Sequence, residues 1–268
     1  MGNPVLLRGA LTEPQFRPNS SFTVLGVRVH AVQICDVVAQ MERWISDRKG
    51  SHFVAVTGMH GVSVAQHELS FKQILNSADL VVPDGMPLVW RGRWEGYPLK
   101  DRVSGSELME IFCRATADRY RHFLYGGAPG VPERLAEVLT RQYGTRIVGT
   151  YSPPFRLLTE REKQDIETSI EATTPDVLWV GLSTPKQERW MAEYRQRLQV
   201  PVLLGVGAAF DFHTGRLRRA PLWMGENGLE WLFRLLIEPR RLWRRYLIGG
   251  SHFVWRNLLE LLRIKTFT

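Results

Sequence analysis

Ala78-Asp-Leu-Val-Val-Pro-Asp-Gly-Met-Pro87 decides how this chain is read. Its apolar run, Leu80 to Val82, predicts a short buried strand that stops at Pro83. Asp84 and Gly85 follow at once, the glycine giving the backbone freedom to turn. In a parallel α/β sheet, ligands bind at the carboxyl ends of the strands, so an acid placed there is a candidate for chemistry. The same acid also suits a helix cap or a turn, and the choice rests on its neighbours.

Working outward, apolar strands alternate with amphipathic helices. Phe22 to Val29 alternates and predicts a strand or hairpin, followed by a helix from about Ala31 to Arg48. Strands are expected at Phe53–Val56, Leu80–Val82, His122–Tyr125, Arg146–Thr150, Val177–Val180 and Val202–Val206. Helices are expected at Val62–Asn76, Ser106–Arg119, Val131–Tyr143, Glu160–Ala172 and Lys186–Leu198. This alternation implies an α/β fold, a mostly parallel sheet with helices on both faces. After Gly207 no further strand is expected. Helical stretches at Leu229–Ile237 and Pro239–Leu247 are followed by a break at Gly249-Gly250 and a last helix at Phe253–Ile264. Residues 1–205 therefore read as an α/β core with a loose N-terminal arm at 1–20, and residues 206–268 as a helical appendage.

The net charge of +8 is unevenly placed. From Thr214 onward there are 11 Lys/Arg against 4 Asp/Glu, whereas the first 213 residues are nearly neutral. The same tail holds Trp223, Trp231, Trp243 and Trp255, and arginine interleaved with tryptophan suits a phosphate-rich, amphipathic surface. Cys35 and Cys113 are far apart in apolar surroundings, neither a metal pair nor a disulfide framework, as expected for a reducing cytoplasm. No leader pattern and no spanning apolar run is visible, so the chain is expected to be neither secreted nor integral.

Four further motifs carry candidate residues. Tyr125-Gly-Gly-Ala-Pro-Gly130 lies between a strand and a helix, where Gly126 and Gly127 fit either a tight connection or a loop around an anion such as a diphosphate. In Val180-Gly-Leu-Ser-Thr-Pro-Lys-Gln-Glu-Arg-Trp190, Lys186 and Arg189 oppose the dipole of the helix they open, which points to a compensating anion or to Glu188. Gly205-Val-Gly-Ala-Ala-Phe-Asp-Phe-His-Thr-Gly215 presents Asp211 between two phenylalanines beside Gly207, either a nucleobase seat or a cap. His213 reads as a structural histidine. Arg102, in Asp101-Arg-Val-Ser-Gly105, either clamps a phosphate or pairs with Asp101. No D-x-D pair and no metal-ligand spacing of histidines is present, so no metal site is expected.

Together, A-D-L-V-V-P-D-G (78–85), D-R-V-S-G (101–105), Y-G-G (125–127), V-G-L-S-T-P-K-Q-E (180–188), G-V-G-A-A-F-D-F (205–212) and L-E-W-L-F-R-L-L-I-E-P-R-R-L-W-R-R-Y-L (229–247) resemble the WecG/TagA/CpsF glycosyltransferases, glycosyltransferase family 26. The resemblance covers roughly residues 22–250. It implies a Rossmann-like core of the GT-E type whose C-terminal helices complete the site at a membrane. It also implies inverting transfer of a sugar from a UDP-sugar to a polyprenyl-diphosphate-linked acceptor in cell-surface polysaccharide synthesis, and hence a peripheral protein on the inner face of a bacterial membrane. By matching position it makes Asp84 the general base, has Thr57 and Gln187 line the catalytic pocket, and places Arg102 in the site. It puts Asp211 in the segment seating the uracil, and lets Arg234, Arg241 and Arg244 reach the diphosphates.

One position departs from the pattern. Many members carry Thr-x-Asn at the first strand end, whereas here the run is Thr57-Gly58-Met59-His60. An N-acetylmannosamine donor is therefore not implied outright, and a hexose such as glucose is admitted.

The expected chemistry is transfer assisted by Asp84, with Arg234, Arg241 and Arg244 on one face of the tail and no metal. The expected partners are the UDP-sugar, the lipid-linked acceptor and an anionic membrane surface; a homo-oligomer is compatible with the sequence. A nucleic-acid-binding protein using the basic tail is the rival class, but the core is neutral and no recognition motif is visible. A dinucleotide oxidoreductase lacks its G-x-G-x-x-G fingerprint.

Overall fold

The computed structural model describes residues 20–267; apart from Ser20, the expected N-terminal arm lies outside them. Strands β1 (Ser21–Val24) and β2 (Val27–His30) form an antiparallel hairpin across a Leu25-Gly26 turn in which both residues have positive φ. Helix α1 (Ile34–Asp47) opens on a capping box between Gln33 and Asp36. There follow β3 (His52–Thr57), α2 (Met59–Ala65), α3 (Leu69–Ser77), β4 (Leu80–Pro83), α4 (Met86–Trp94) and α5 (Gly105–Thr116). Next come β5 (Arg121–Gly126), α6 (Val131–Tyr143), β6 (Arg146–Tyr151), α7 (Glu160–Thr173), β7 (Val177–Gly181), α8 (Lys186–Tyr194) and β8 (Val202–Gly205).

Strands β3 to β8 make one parallel sheet in the order β4-β3-β8-β7-β5-β6. Alternate residues of each strand feed different cores. Phe53, Ala55, Val81, Leu178 and Val180 face one cluster, which the hairpin and α3, α4 and α8 cover. Val54, Val56, Leu80, Trp179 and Leu204 face the other, under α1, α5 and α6. Burial on both faces explains why the strands read as continuous apolar runs.

Beyond β8 the chain is helical: α9 (Ala209–His213), α10 (Leu222–Glu226), α11 (Glu230–Ile237), α12 (Pro239–Trp243), a π-helical turn at Arg244–Gly249, and α13 (Gly250–Leu261). This segment folds back onto the core. Leu242 and Phe253 are buried. Glu260 accepts a hydrogen bond from the Leu25 amide at 3.1 Å and pairs with Arg91 of α4 at 3.2 Å.

Three expectations about elements need correction. The helix expected at Val62–Asn76 is two, because Glu68 adopts extended backbone between α2 and α3. Helix α4 was not expected; its buried residues, Met86, Leu88, Val89 and Gly92, leave no clear apolar stripe among its arginines and tryptophans. Gly249-Gly250 does not break the tail: both glycines have helical dihedrals, and the π-turn runs straight into α13, where Gly250 packs against Met59.

At the end of β5, Gly126 has φ +126°, and a Cβ there would stand 2.6 Å from the Gly181 backbone. Gly126→Ala is expected to lower the unfolding free energy by about 1–3 kcal/mol through combined strain and overlap. A denaturant melt with an unchanged midpoint would contradict this contact.

Candidate active site

The carboxyl ends of β3, β4 and β7 converge, and the tail closes over them. Where β3 ends, Gly58 lets the backbone press against the Asp84 carbonyl, a space no side chain could share. The Asp84 amide donates to the Thr57 carbonyl at 2.9 Å, so the β3–β4 pairing continues one residue past Pro83 and fixes where this acid stands. Pro87 in the first turn of α4 then directs the chain away.

A cavity of about 140 Å³ lies at this junction. The core contributes Gly58, Met59, His60, Asp84, Arg102 and Thr184 to its lining, and the tail contributes Glu230, Trp231, Arg234, Arg245 and Tyr246. Three arginines therefore face two carboxylates. Arg102 is the hub: its guanidinium lies 2.7 Å from Glu230, 3.7 Å from Asp84 and 3.8 Å from Glu107.

The electrostatics of Asp84 follow from this crowding. Its side chain keeps 40 % of its surface, which opens on the cavity. Loss of bulk water pushes its pKa up, Arg102 pulls it down, Glu230 raises it, and Arg234 and Arg245 lower it, with a net upward shift. His60 is held neutral, its pKa pushed down to about 4 by burial and by Arg245.

Arg245 is the least compensated group of the site. Its Nε is buried without a hydrogen-bond partner, and no ion pair among the described residues includes it. Burial and the nearby Arg234 lower its pKa. A desolvated guanidinium with open donors suits an anion with several oxygens.

The residues singled out in the sequence divide accordingly. Asp84, Arg102 and Arg234 line the cavity together. Thr57 is buried beside them, its Oγ1 without a partner. Gln187 is buried behind the cavity, accepting from the Gly207 amide at 2.9 Å. The Gly127 amide donates to the Gly181 carbonyl at 3.0 Å, so the amides of Gly127 and Gly207 both serve the fold, and Gly126 meets the Gly181 backbone. Lys186 is exposed on the first turn of α8. Arg189 pairs with Glu68, so its compensating charge is not Glu188.

Asp211 is not among the cavity-lining residues; it sits on α9, 3.5 Å from Arg216. The adjacent Phe212 ring lies 5.7 Å from the Arg234 guanidinium and joins this segment to the site. His213 bonds to the Ser106 carbonyl at 2.9 Å, a structural role.

Arg241 and Arg244 do not share the face of Arg234. Arg241 is exposed and pairs with Glu238 at 2.6 Å, while Arg244 lies over the Trp243 ring at 5.2 Å. Glu238 leaves helical geometry before Pro239, and the π-turn from Arg244 adds a residue per turn, so regular helical spacing does not carry across. The inward side chain is Arg245, which the sequence reading passed over. Its signal was the Arg244-Arg245 pair, but only the π-turn tells which of the two faces in. Among the described residues no group of three His, Cys, Asp or Glu could hold a metal ion.

The sequence model of the glycosyl transferase WecG/TagA/CpsF family matches residues 22–266. The chain belongs to this family. As a WecG/TagA/CpsF-family glycosyltransferase it is similar to two curated bacillar proteins. One, from Bacillus spizizenii strain W23, is named N-acetylglucosaminyldiphosphoundecaprenol N-acetyl-beta-D-mannosaminyltransferase; it is 31% identical over 218 residues, covering 80% of this chain and 82% of that protein. The other, from Bacillus subtilis strain 168, bears the same name and is 27% identical over 208 residues, 77% of this chain and 79% of that one. In this glycosyltransferase no helix among the described residues is long and apolar enough to cross a membrane.

Arg102 lowers the pKa of Asp84, so Arg102→Ala is expected to raise it further. Carboxyl-carbon NMR titration of labelled protein checks this, and an Asp84 midpoint that stays put or falls would contradict the geometry.

Proposed function

We propose that this enzyme transfers a sugar, with inversion, from a UDP-sugar to a polyprenyl-diphosphate-linked saccharide at the inner face of a bacterial membrane, for cell-surface polysaccharide synthesis. The observation that carries the reading is the carboxyl of Asp84 in a cavity whose other wall is a tail bearing Arg234 and Arg245. The acceptor named in both relatives, a sugar on diphosphoundecaprenol, supports the lipid-linked substrate.

In the proposed step an acceptor hydroxyl attacks the anomeric carbon while Asp84 takes its proton. The bond from that carbon to the diphosphate oxygen breaks, and UDP leaves with the electron pair. Arg234 and Arg245 supply the charge that the departing diphosphate needs, without a metal. Arg102 favours the ionised form of Asp84 and stands between it and Glu230. The upward shift of Asp84 strengthens its carboxylate form as a base.

Membrane attachment is assigned to the tail. Trp223, Trp243, Val254, Trp255 and Leu262 are exposed there among a surplus of arginines, the combination that seats a helix at an anionic lipid surface. The transferred sugar is of the N-acetylmannosamine type, as the relatives' names suggest, or a hexose. Met59 lines the cavity where an asparagine amide would offer two donors and a carbonyl acceptor, and it has only a weakly accepting thioether.

Screening UDP-sugars against a short-chain polyprenyl-diphosphate saccharide, with product read by mass, tests the reading; no product with any UDP-sugar would overturn it. Asp84→Asn is expected to lower turnover by about 10²–10⁴-fold with UDP binding nearly intact, and retention of more than about a third of the wild-type rate would remove the base. Activity is expected to survive excess EDTA, because arginines carry the charge; complete loss restored by Mg²⁺ or Mn²⁺ would contradict that.

A further inference from the structure

Three acids are buried among the described residues, and two of them have evident structural work. Asp36 accepts from the Gln33 amide and caps α1. Asp176 takes Arg48 at 2.6 Å and the Arg121 amide at 2.8 Å. The third, Glu188, has 0% exposure and no ion pair. Its Oε1 accepts from the Thr184 hydroxyl at 2.7 Å and from the Gln187 side-chain amide at 3.2 Å, while Oε2 is buried without a partner. As the third residue of α8 it lies where a carboxylate favours the helix dipole, but an exposed side chain would serve that purpose without the cost of burial.

What Glu188 touches explains its place. Thr184 lines the cavity with Asp84. Because the Thr184 hydroxyl gives its proton to Glu188, its oxygen is left with lone pairs only, an acceptor for a hydroxyl in the cavity. Gln187, its amide nitrogen turned to Glu188, presents its carbonyl oxygen to the Gly207 amide at 2.9 Å. One buried carboxyl thus sets the loop after β7 and ties it to the loop after β8.

We propose that Glu188 is a positioning residue of the transfer reaction, fixing Thr184 as a hydrogen-bond acceptor for a sugar hydroxyl and locking Gln187 between the two strand-end loops. This rests on the glycosyl-transfer reading above. The role is orientation and not charge. Burial raises the Glu188 pKa, Glu188 makes no ion pair among the described residues, and a glutamine carbonyl could accept the same two hydrogen bonds.

The test is a variant series assayed with the preferred UDP-sugar and the short-chain acceptor: Glu188→Gln, Glu188→Ala, Thr184→Val and Thr184→Val/Glu188→Ala, each with its melting temperature. Glu188→Gln is expected to stay within about threefold of wild type in kcat and KM. Glu188→Ala should lose about 10²-fold in kcat, the scale of a small misplacement at a reacting centre, with donor KM nearly unchanged. The double variant should be little worse than its poorer parent, because both changes break the same Thr184–Glu188 hydrogen bond. A folded Glu188→Ala enzyme with full turnover, additive losses in the double variant, or a Glu188→Gln enzyme as impaired as Glu188→Ala would each overturn the proposal. If Glu188→Ala does not fold, an active Glu188→Gln beside an impaired Thr184→Val supports it, and a fully active Thr184→Val overturns it. A wild-type enzyme inactive with every UDP-sugar overturns the functional reading and this inference with it; an active wild type confines any failure to Glu188.

Discussion

Arg102 joins the acid at the end of β4 to the tail. Its side chain, 14 % exposed, stands between Asp84 of the core and Glu230 of α11, with Glu107 on a third side. Without that cation two carboxylates, both still partly open to solvent, would face each other across the cavity. The contact is chemical and architectural at once. It tempers the pKa of Asp84, and it holds down the helix that brings Arg234 and Trp231 over the strand ends.

The core of the fold was legible because its strands are buried on both faces. Leu80–Val82 and Val177–Val180 carry apolar side chains at every position, and each observed strand, Leu80–Pro83 and Val177–Gly181, extends by only a residue. What failed to show was geometry that no period encodes. Glu68 interrupts a helix without a glycine or proline nearby to announce it. The tail misled more, since counting in regular turns from Arg234 takes no account of the non-helical Glu238 or of the π-turn. Within the site, Asp84 and Arg102 were readable from strand ends and motif order, whereas the places of His60, Thr184 and Arg245 and the burial of Glu188 became visible only once β3, β7 and the tail were brought together.

Core and tail divide the work. The parallel sheet sets the positions of Thr57 and Asp84 through backbone pairing. The tail supplies charge and surface: Arg234 and Arg245 inward, tryptophans and leucines outward. Met59 links the two, lining the cavity on one side and meeting Gly250 of α13 on the other.

The central claim is that Asp84 acts as a base toward the acceptor and not as a nucleophile toward the sugar, and the product's stereochemistry tests it directly. A single displacement inverts the anomeric carbon, whereas a covalent sugar–carboxylate intermediate retains its configuration. The measurement is the one-bond carbon–hydrogen coupling at the new anomeric centre, read by NMR on product made from an α-linked UDP-sugar. The account predicts a β-linkage; an α-linked product would contradict it.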